Sequence, residues 1–155
     1  MTHQSTICFL TKPGETLLAM KKRGFGANKW NGAGGKQNQG ETIEECAIRE
    51  TQEEIGVSIP DTTFLIKVAE FIFHIKDGTI YHTHVFTTST WSGEPQESEE
   101  MRPQWFRNED IPYDKMWIDD QYWLPRVLKG EKLEGEFFFN EDNTAVESYT
   151  IKSVE

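Results

Sequence analysis

The stretch Gly35–Val57 brings glycine, arginine and carboxylate residues together at spacings that suit cation binding. It predicts a helix over residues 42–55, with acidic residues at its start and Gly56 just after its end. At about 100° per residue, Glu50 and Glu54 continue the apolar stripe of this helix. A bare carboxylate is costly there unless a cation meets it, and Mg²⁺ typically binds a few carboxylates together with substrate phosphates.

An acidic helix surface in contact with solvent is the simpler explanation of so many carboxylates. We adopt it for Glu44, Glu45 and Gln52. It explains Glu50 and Glu54 poorly, because these two share their stripe with apolar residues. Periodicity alone leaves a metal site and a helical ion-pair network equally open.

The spacing of the charged and glycine positions is more specific than their periodicity. It resembles the Nudix box, which marks hydrolases that act on a nucleoside diphosphate linked to another group; the matching positions are Gly35, Glu41, Arg49-Glu50, Glu53-Glu54 and Gly56-Val57. One departure is Thr51, where the family usually has an aliphatic residue. This substitution concerns local packing and leaves the chemistry of the box complete.

Stretches outside the box resemble the oxidised purine nucleoside triphosphatases of animals, a subfamily of the MutT group. The matching stretches are Met20–Ala27, Trp30–Gly32, His84–Phe86, Glu100–Pro103 with Trp105-Phe106, and Met116–Asp120 followed by Tyr122–Pro125. The resemblance implies hydrolysis of oxidised or methylated purine nucleoside triphosphates, such as 8-oxo-dGTP and 2-oxo-dATP, to the monophosphate and pyrophosphate. Such an activity sanitises the nucleotide pool and prevents DNA damage.

The same resemblance implies a pocket for the purine base. Asn31, Asp119 and Asp120 would hydrogen-bond the purine edge, and Trp117 would stack on its face. The rest of the pocket would comprise Phe25, Phe73, Met101 and Trp123, with Thr6 and Lys21 near the sugar or base. Without the resemblance, helix capping explains the two aspartates and a turn explains Asn31.

The resemblance further implies a metal site on the helix. Glu50, Glu53 and Glu54 would bind Mg²⁺, or Mn²⁺ in its place, and the Gly35 carbonyl and Glu100 would complete the coordination. Arg49 is better interpreted as a group that orients Glu53 than as a substrate ligand. The general base is left open among Glu53, Glu54 and Glu100.

The composition narrows the class of protein. A chain of 155 residues with a formal charge of −10 predicts one domain over residues 1–155 and argues against binding to a nucleic-acid polymer. A divalent metal would supply the positive charge that a nucleotide substrate needs. We find no membrane-spanning run and no secretory signal, so we expect a cytoplasmic monomer.

Cysteine and histidine residues add two expectations. Cys8 and Cys46 are too few for a disulfide framework and are expected to be buried thiols in a reducing compartment. The four histidines show no metal-ligand spacing and are expected to be structural or surface residues; they are His3, His74, His82 and His84.

The order of predicted elements indicates an α+β fold. Two helices, at residues 42–55 and Gln121–Leu128, alternate with strands at Ser5–Leu10, Thr16–Met20, Phe64–Ile75, Thr79–Thr90, Gln104–Arg107, Glu136–Phe139 and Ala145–Ile151. The resemblance implies the Nudix α/β/α sandwich, with a curved mixed sheet between two main helices. Within the family, a normal NTP, ADP-ribose or a dinucleoside polyphosphate is the alternative substrate. A nucleotide-binding module without turnover is the alternative outside the enzymes.

Overall fold

The computed structural model of the protein describes residues 1–154. Strands and helices follow one another in the order β1 (Thr2–Lys12), β2 (Glu15–Lys21), β3 (Trp30–Asn31), α1 (Ile43–Ile55), β4 (Ile66–His74), β5 (Ile80–Thr88), β6 (Met101–Arg107), α2 (Asp120–Leu128), β7 (Lys132–Phe139) and β8 (Val146–Val154). Three single 3₁₀ turns lie at Thr62–Phe64, Asn108–Asp110 and Tyr113–Lys115. The predicted elements are present, most of them slightly longer than the sequence indicated.

The strands form a mixed sheet in the order β3-β2-β1-β5-β4-β7-β8, and β6 pairs with β2. Strand β1 pairs with β5 in parallel along residues 2–10, and β4 pairs with β7 in parallel. The turn after Lys12 does connect β1 to β2, but these strands pair only at Thr11–Lys12. The main partner of β1 therefore comes much later in the chain.

Local sequence signals fix both ends of α1. The Thr42 hydroxyl accepts the Glu45 N–H at 3.1 Å, while the Glu45 carboxylate accepts the Thr42 N–H at 2.8 Å, which forms a capping box. Gly56 ends the helix with a φ of 77°, a conformation that favours glycine. Thr51 is buried, and its hydroxyl donates to the Ala47 carbonyl at 2.7 Å. The departure from the family pattern thus leaves this polar atom hydrogen-bonded.

Successive residues of β1 point to opposite faces of the sheet and bury different helices. Cys8 packs with Ala47 of α1 and Phe86 of β5, whereas Phe9 belongs to the larger cluster around Trp123 of α2. The sheet therefore lies between the two helices, as the predicted fold class requires.

Both cysteines are buried and free, as predicted. Burial raises the pKa of the Cys8 thiol to about 12, so the thiol stays protonated at neutral pH and packs as a small apolar group. Of the helices within residues 1–154, none has the length and apolar character to cross a membrane.

Candidate active site

A cavity of about 440 Å³ extends from the glycine-rich loop at residues 32–35, which precedes α1, to the start of α2. Two residues of the predicted metal site line it, namely Gly35 and Glu54. Of the predicted base pocket, the lining includes Thr6, Lys21, Phe25, Asn31, Phe73, Met101, Trp117, Asp119 and Asp120. The structure thus places residues predicted to handle the phosphates and residues predicted to bind the base in one cavity.

Strand pairing brings several of these residues together. Lys21 of β2 is the register partner of Met101 of β6, which begins earlier than predicted. Asn31 lies on β3, beside Ala19 of β2. Its Oδ1 accepts the Gly32 N–H at 2.8 Å, which fixes the orientation of the amide.

Several lining residues were missed by the sequence prediction. Ser5 and Ile7 lie two residues apart on β1, as Tyr81 and Thr83 do on β5, and the lining also includes Lys29, Lys36 and Ile75. Alternation along the predicted strands could have identified these residues, because side chains two residues apart point to the same face of a sheet. No comparable sequence signal marked the two lysines.

Asp119 and Asp120 lie at the buried end of the cavity, with exposures of only 4% and 2%. Asp119 occupies the position before α2, but within residues 1–154 its side chain makes no capping hydrogen bond. Its Oδ2 instead accepts the Trp123 Nε1–H at 2.7 Å. The capping explanation of this residue is therefore wrong.

Trp123 is not among the residues that line the cavity in the part of the chain described. Its side chain is fully buried and packs against Phe9 and Phe71, with ring centroids 6.3 and 5.0 Å away. The helical spacing of four residues lets its indole reach back to Asp119. Trp123 therefore positions the carboxylate from behind, in place of the predicted contact with the base.

Burial shifts the acidity of both aspartates in the same direction. It raises the pKa of Asp119 to about 6, an effect that the Trp123 hydrogen bond opposes. Burial and the neighbouring Asp119 charge raise the pKa of Asp120 well above its usual value. Within residues 1–154, Asp120 Oδ2 has no hydrogen-bond partner. At neutral pH the pair therefore offers one ionised acceptor, Asp119, and one protonated donor, Asp120.

Aromatic side chains form the mouth of the cavity. Phe25 is exposed, and its ring lies 5.1 Å from the half-buried Trp117 ring. A Cβ at Gly26 would approach the Trp117 indole to 3.3 Å, so glycine leaves room for the ring. Lys29 Nζ lies 5.6 Å from the centroid of the same indole. A flat aromatic face beside a cation suits a nucleobase and its phosphates.

Arg49 organises the carboxylates of the box. Its Nε and Nη2 donate to both Glu41 oxygens at 3.0 and 2.7 Å. Its Nη1 donates to Glu50 at 2.8 Å and to Glu53 at 3.1 Å. The two bonds from Arg49 to Glu41 are the main reason that the pKa of the Glu41 carboxyl is lowered to about 2. The predicted contact between Arg49 and Glu53 is present, as one part of a larger network.

Glu54 differs from its neighbours because it faces the cavity. Its Oε1 accepts the Gly34 N–H at 3.0 Å, yet burial raises the pKa of this carboxyl to about 7. The nearby Glu50 and Glu100 charges raise it further, while Lys21 lowers it. An extra cation at this carboxylate would therefore be stabilising.

The residues present fit a hard divalent cation. Glu50 lies close to the loop, since a Cβ at Gly35 would meet its Oε2 at 2.5 Å. The Gly35 carbonyl accepts the Thr6 N–H at 2.9 Å and a weak hydrogen bond from the Cys46 thiol at 3.7 Å, which a metal ion would displace. Carboxylate and carbonyl oxygens are the donors that Mg²⁺ and Mn²⁺ prefer. In the described chain Glu50, Glu53 and Glu54 do not bring one oxygen each within 4.8 Å of one another, so an ion would have to draw them together.

Glu100 stands apart from the other predicted metal ligands. Its carboxylate accepts from Arg23 Nη2 at 3.2 Å, and its side chain is 67% exposed. It is near enough to influence the pKa of Glu54, but it does not line the cavity. Arg23 would have to release Glu100 before this carboxylate could join the site.

Comparisons with known proteins agree with this geometry. A family model described as the NUDIX domain matches residues 1–127. The chain is 46% identical over 142 residues to the oxidized purine nucleoside triphosphate hydrolase of Danio rerio, covering 92% of this chain and 90% of that protein. It is 43% identical over 150 residues to the Mus musculus protein of the same name, covering 97% and 94%. The mMutator MutT protein of Bacillus halodurans shares the fold, with a TM-score of 0.81, 24% identity and coverage of 96% and 97%.

Proposed function

The chain belongs to the Nudix family, and we propose that it hydrolyses oxidised purine nucleoside triphosphates, such as 8-oxo-dGTP and 2-oxo-dATP, to the monophosphate and pyrophosphate. The observation that carries the proposal is the single cavity that Glu54 shares with the buried pair Asp119 and Asp120. The names of the two vertebrate relatives, which match over nearly the whole chain, support the same substrate class.

Glu50, Glu53, Glu54 and the Gly35 carbonyl are the groups that would hold Mg²⁺, with Mn²⁺ as a substitute. When bound, such an ion neutralises phosphate oxygens and makes a coordinated water more acidic. Lys21 and Lys36 line the same cavity and would add positive charge toward the phosphates. Together these residues offset the net charge of −10 where an anionic substrate enters.

The reaction is a substitution by water at phosphorus, which we assign to the α-phosphorus. The water loses a proton to a carboxylate oxygen of Glu53, Glu54 or, after release from Arg23, Glu100. Arg49 holds Glu53 and Glu50 in fixed orientations through its hydrogen bonds of 3.1 and 2.8 Å. Catalysis then depends on positioning and on charge neutralisation.

Substrate choice depends on the other end of the cavity. Asp120, protonated, donates a hydrogen bond, while Asp119, ionised, accepts one. Such a pair reads a purine edge that presents one acceptor and one donor, and the shared proton can adapt to keto or amino groups. Asn31 adds an amide to the same edge, and Trp117 stacks on the base.

The decisive experiment measures pyrophosphate release from a panel of nucleotides, with and without Mg²⁺. The panel contains 8-oxo-dGTP, 2-oxo-dATP, N6- and O6-methylated purine triphosphates, dGTP and ADP-ribose. We expect turnover only with a divalent ion, and a kcat/KM for 8-oxo-dGTP well above that for dGTP.

Two results would count against the proposal. A ratio of kcat/KM near one for 8-oxo-dGTP over dGTP would indicate a broader nucleotide pyrophosphatase. Binding of the panel without pyrophosphate release, at any metal concentration, would indicate a binding module.

A further inference from the structure

A cluster of imidazole and carboxylate groups lies outside the nucleotide cavity, on the face of the sheet that α1 covers. Cys8 packs on α1 and pairs with Phe86, so Gln4, His82 and His84, at even offsets along the same two strands, point to that face. His82 and His84 are two residues apart on β5, which puts both rings on one face, and Glu70 of β4 is the register partner of His84. The expectation that the four histidines show no metal-ligand spacing therefore does not hold for His82 and His84, while His3 and His74 stay outside the cluster.

The three side chains converge on one point. His82 Nε2 lies 2.6 Å from Glu70 Oε2, and His84 Nδ1 lies 3.7 Å from Glu70 Oε1. One donor atom from each residue fits within a span of 4.8 Å. Glu70 and His82 are half-exposed, which leaves a path from solvent, whereas His84 is only 8% exposed.

Hydrogen bonds define which nitrogen of His84 carries a lone pair. Gln4 Oε1 can only act as an acceptor, so His84 Nε2–H donates the hydrogen bond of 2.9 Å between them. The neutral ring then has its lone pair on Nδ1. In the described chain this buried atom has no hydrogen-bond partner. A nitrogen lone pair thus faces a carboxylate oxygen, an arrangement that a shared cation stabilises.

We propose that Glu70, His82 and His84 form a second metal site, which binds a borderline transition metal such as Zn²⁺. Two imidazoles and one carboxylate suit Zn²⁺, whereas Mg²⁺ prefers oxygen ligands alone. Tetrahedral ligands at 2.0–2.1 Å from zinc are about 3.4 Å apart. The contact between Glu70 and His84 is close to that separation, and the contact between Glu70 and His82 must open to reach it.

Gln4 acts in this site as a positioning residue. In the structure its amide N–H donates to His82 Nδ1 at 3.1 Å, so His82 carries its proton on Nε2, toward Glu70. Metal binding moves that proton to Nδ1 without changing the charge of the ring. Both rings then present N–H groups to Gln4, whose Oε1 accepts the one from His84, while its amide N–H, which faces His82 Nδ1, must turn away. A carboxylate at position 4 would accept them better, because histidine ligands are commonly oriented by carboxylates.

Two other charges face the cluster. Lys67 donates a hydrogen bond from Nζ to Glu70, and Glu44 of α1 lies near enough to influence the pKa of His84. The metal competes with Lys67 for the Glu70 carboxylate, while Glu44 favours any cation. None of Glu70, His82 and His84 lines the nucleotide cavity, so metal binding here should leave the hydrolytic reaction intact.

The test is calorimetric titration of the full chain with Zn²⁺ in buffer containing excess Mg²⁺, which occupies the carboxylates of the box. We expect one Zn²⁺ per chain, and at least about 100-fold weaker binding in His82→Ala and Glu70→Gln, since even outer contacts of metal ligands are worth 10–100-fold. His74→Ala is the matched control, because His74 also contacts a glutamate, Glu136, on the same face but stands outside the cluster. Its Zn²⁺ affinity should be unchanged.

Substitution of Gln4 separates a built site from chance binding. Gln4→Glu should tighten Zn²⁺ binding about tenfold or more, and Gln4→Leu should weaken it by a similar factor. Co²⁺ provides a second probe, whose visible absorption should indicate four-coordination in the wild type and be lost in His82→Ala. Circular dichroism checks the fold of each variant, and His82 is exposed enough to be replaced without unfolding the chain. Equal Zn²⁺ affinity in the wild type, His82→Ala and Glu70→Gln, or no affinity in the wild type, would overturn the proposal.

Discussion

Two groups of carboxylates lie near the cavity, one held by Arg49 of α1 and one at the start of α2, and their surroundings differ. On α1, Arg49 donates hydrogen bonds to Glu41, Glu50 and Glu53, so these carboxylates are paired with a guanidinium. At the start of α2, Asp119 and Asp120 are buried, and the Trp123 indole N–H donates a hydrogen bond to Asp119. The Arg49 guanidinium balances the negative charge of the first group, whereas a bound proton reduces the negative charge of the second. The comparison shows why one group suits metal and phosphate while the other suits the neutral edge of a base.

The largest effect should come from neutralising the α1 carboxylates. We expect Glu53→Gln and Glu54→Gln each to lower kcat by about 10²–10⁴, because a lost proton acceptor and metal ligand affects the chemical step directly. The measurement is pyrophosphate release at saturating nucleotide and Mg²⁺, with thermal unfolding to confirm the fold. Glu44→Gln, on the same helix but outside the cavity, is the matched control. Unchanged turnover in both active-site variants would remove α1 from the mechanism.

The next effect concerns stability at the start of α2. The folded-state pKa of Asp119, about 6, is above the ordinary value of 3.8. Its protonated form therefore stabilises the fold below about pH 4, and this stabilisation is lost as the pH rises through 6. Relative to Asp119→Asn, the wild type should lose on the order of 3 kcal/mol between pH 4 and pH 7. Urea unfolding across that range measures the difference.

Two companions make the Asp119 experiment selective. Asp61 is exposed, and hydrogen bonds from Thr63 lower its pKa. Relative to Asp61→Asn, the wild type should therefore gain stability as the pH rises, which is the opposite sign to that expected for Asp119. Asp119→Asn should also change the preference among 8-oxo-dGTP, 2-oxo-dATP and methylated purines while the metal requirement persists. If kcat/KM fell equally for all of these substrates, Asp119 would not read the base.

The smallest effect should come from the aromatic mouth. Removing the indole in Trp117→Ala should raise KM for purine triphosphates by about 5–150-fold and leave kcat nearly unchanged, since base stacking is worth about 1–3 kcal/mol. Trp91 is a suitable control, because it stacks on Trp105 with centroids 5.8 Å apart and does not line the cavity. A fall in kcat at constant KM would mean that Trp117 serves the chemistry instead of binding.

The two ends of the cavity also differed in how well the sequence predicted them. The bounds of α1 followed from local signals, because Thr42, Glu45 and Gly56 determine the helix ends through their own neighbours. Arg49 and its carboxylate partners are on that helix or close to it in sequence, so their contacts were also predictable. Periodicity correctly indicated that Glu50 and Glu54 avoid the solvent face.

Long-range pairing explains what the sequence could not supply. Trp123 is of a residue type that often stacks on bases, but only its packing against Phe71 shows that it lies behind Asp119. Ser5 and Tyr81 became lining residues when β1 paired with β5, which no local signal announced. His82 and Glu70 likewise meet across strands. Such contacts depend on register between distant segments, which a single sequence does not encode locally.

The parallel pairing of β1 with β5 also determines when the protein can become active during folding. Ser5 and Thr83 share a hydrogen bond of 2.9 Å although 78 positions separate them in the chain. Contacts of such high sequence separation require closure of a long loop, which slows folding relative to local helix formation. On the ribosome, α1 can form early, but the wall of the cavity must wait until β5 has emerged. The nascent chain therefore acquires its carboxylate helix well before it acquires a place for the nucleotide.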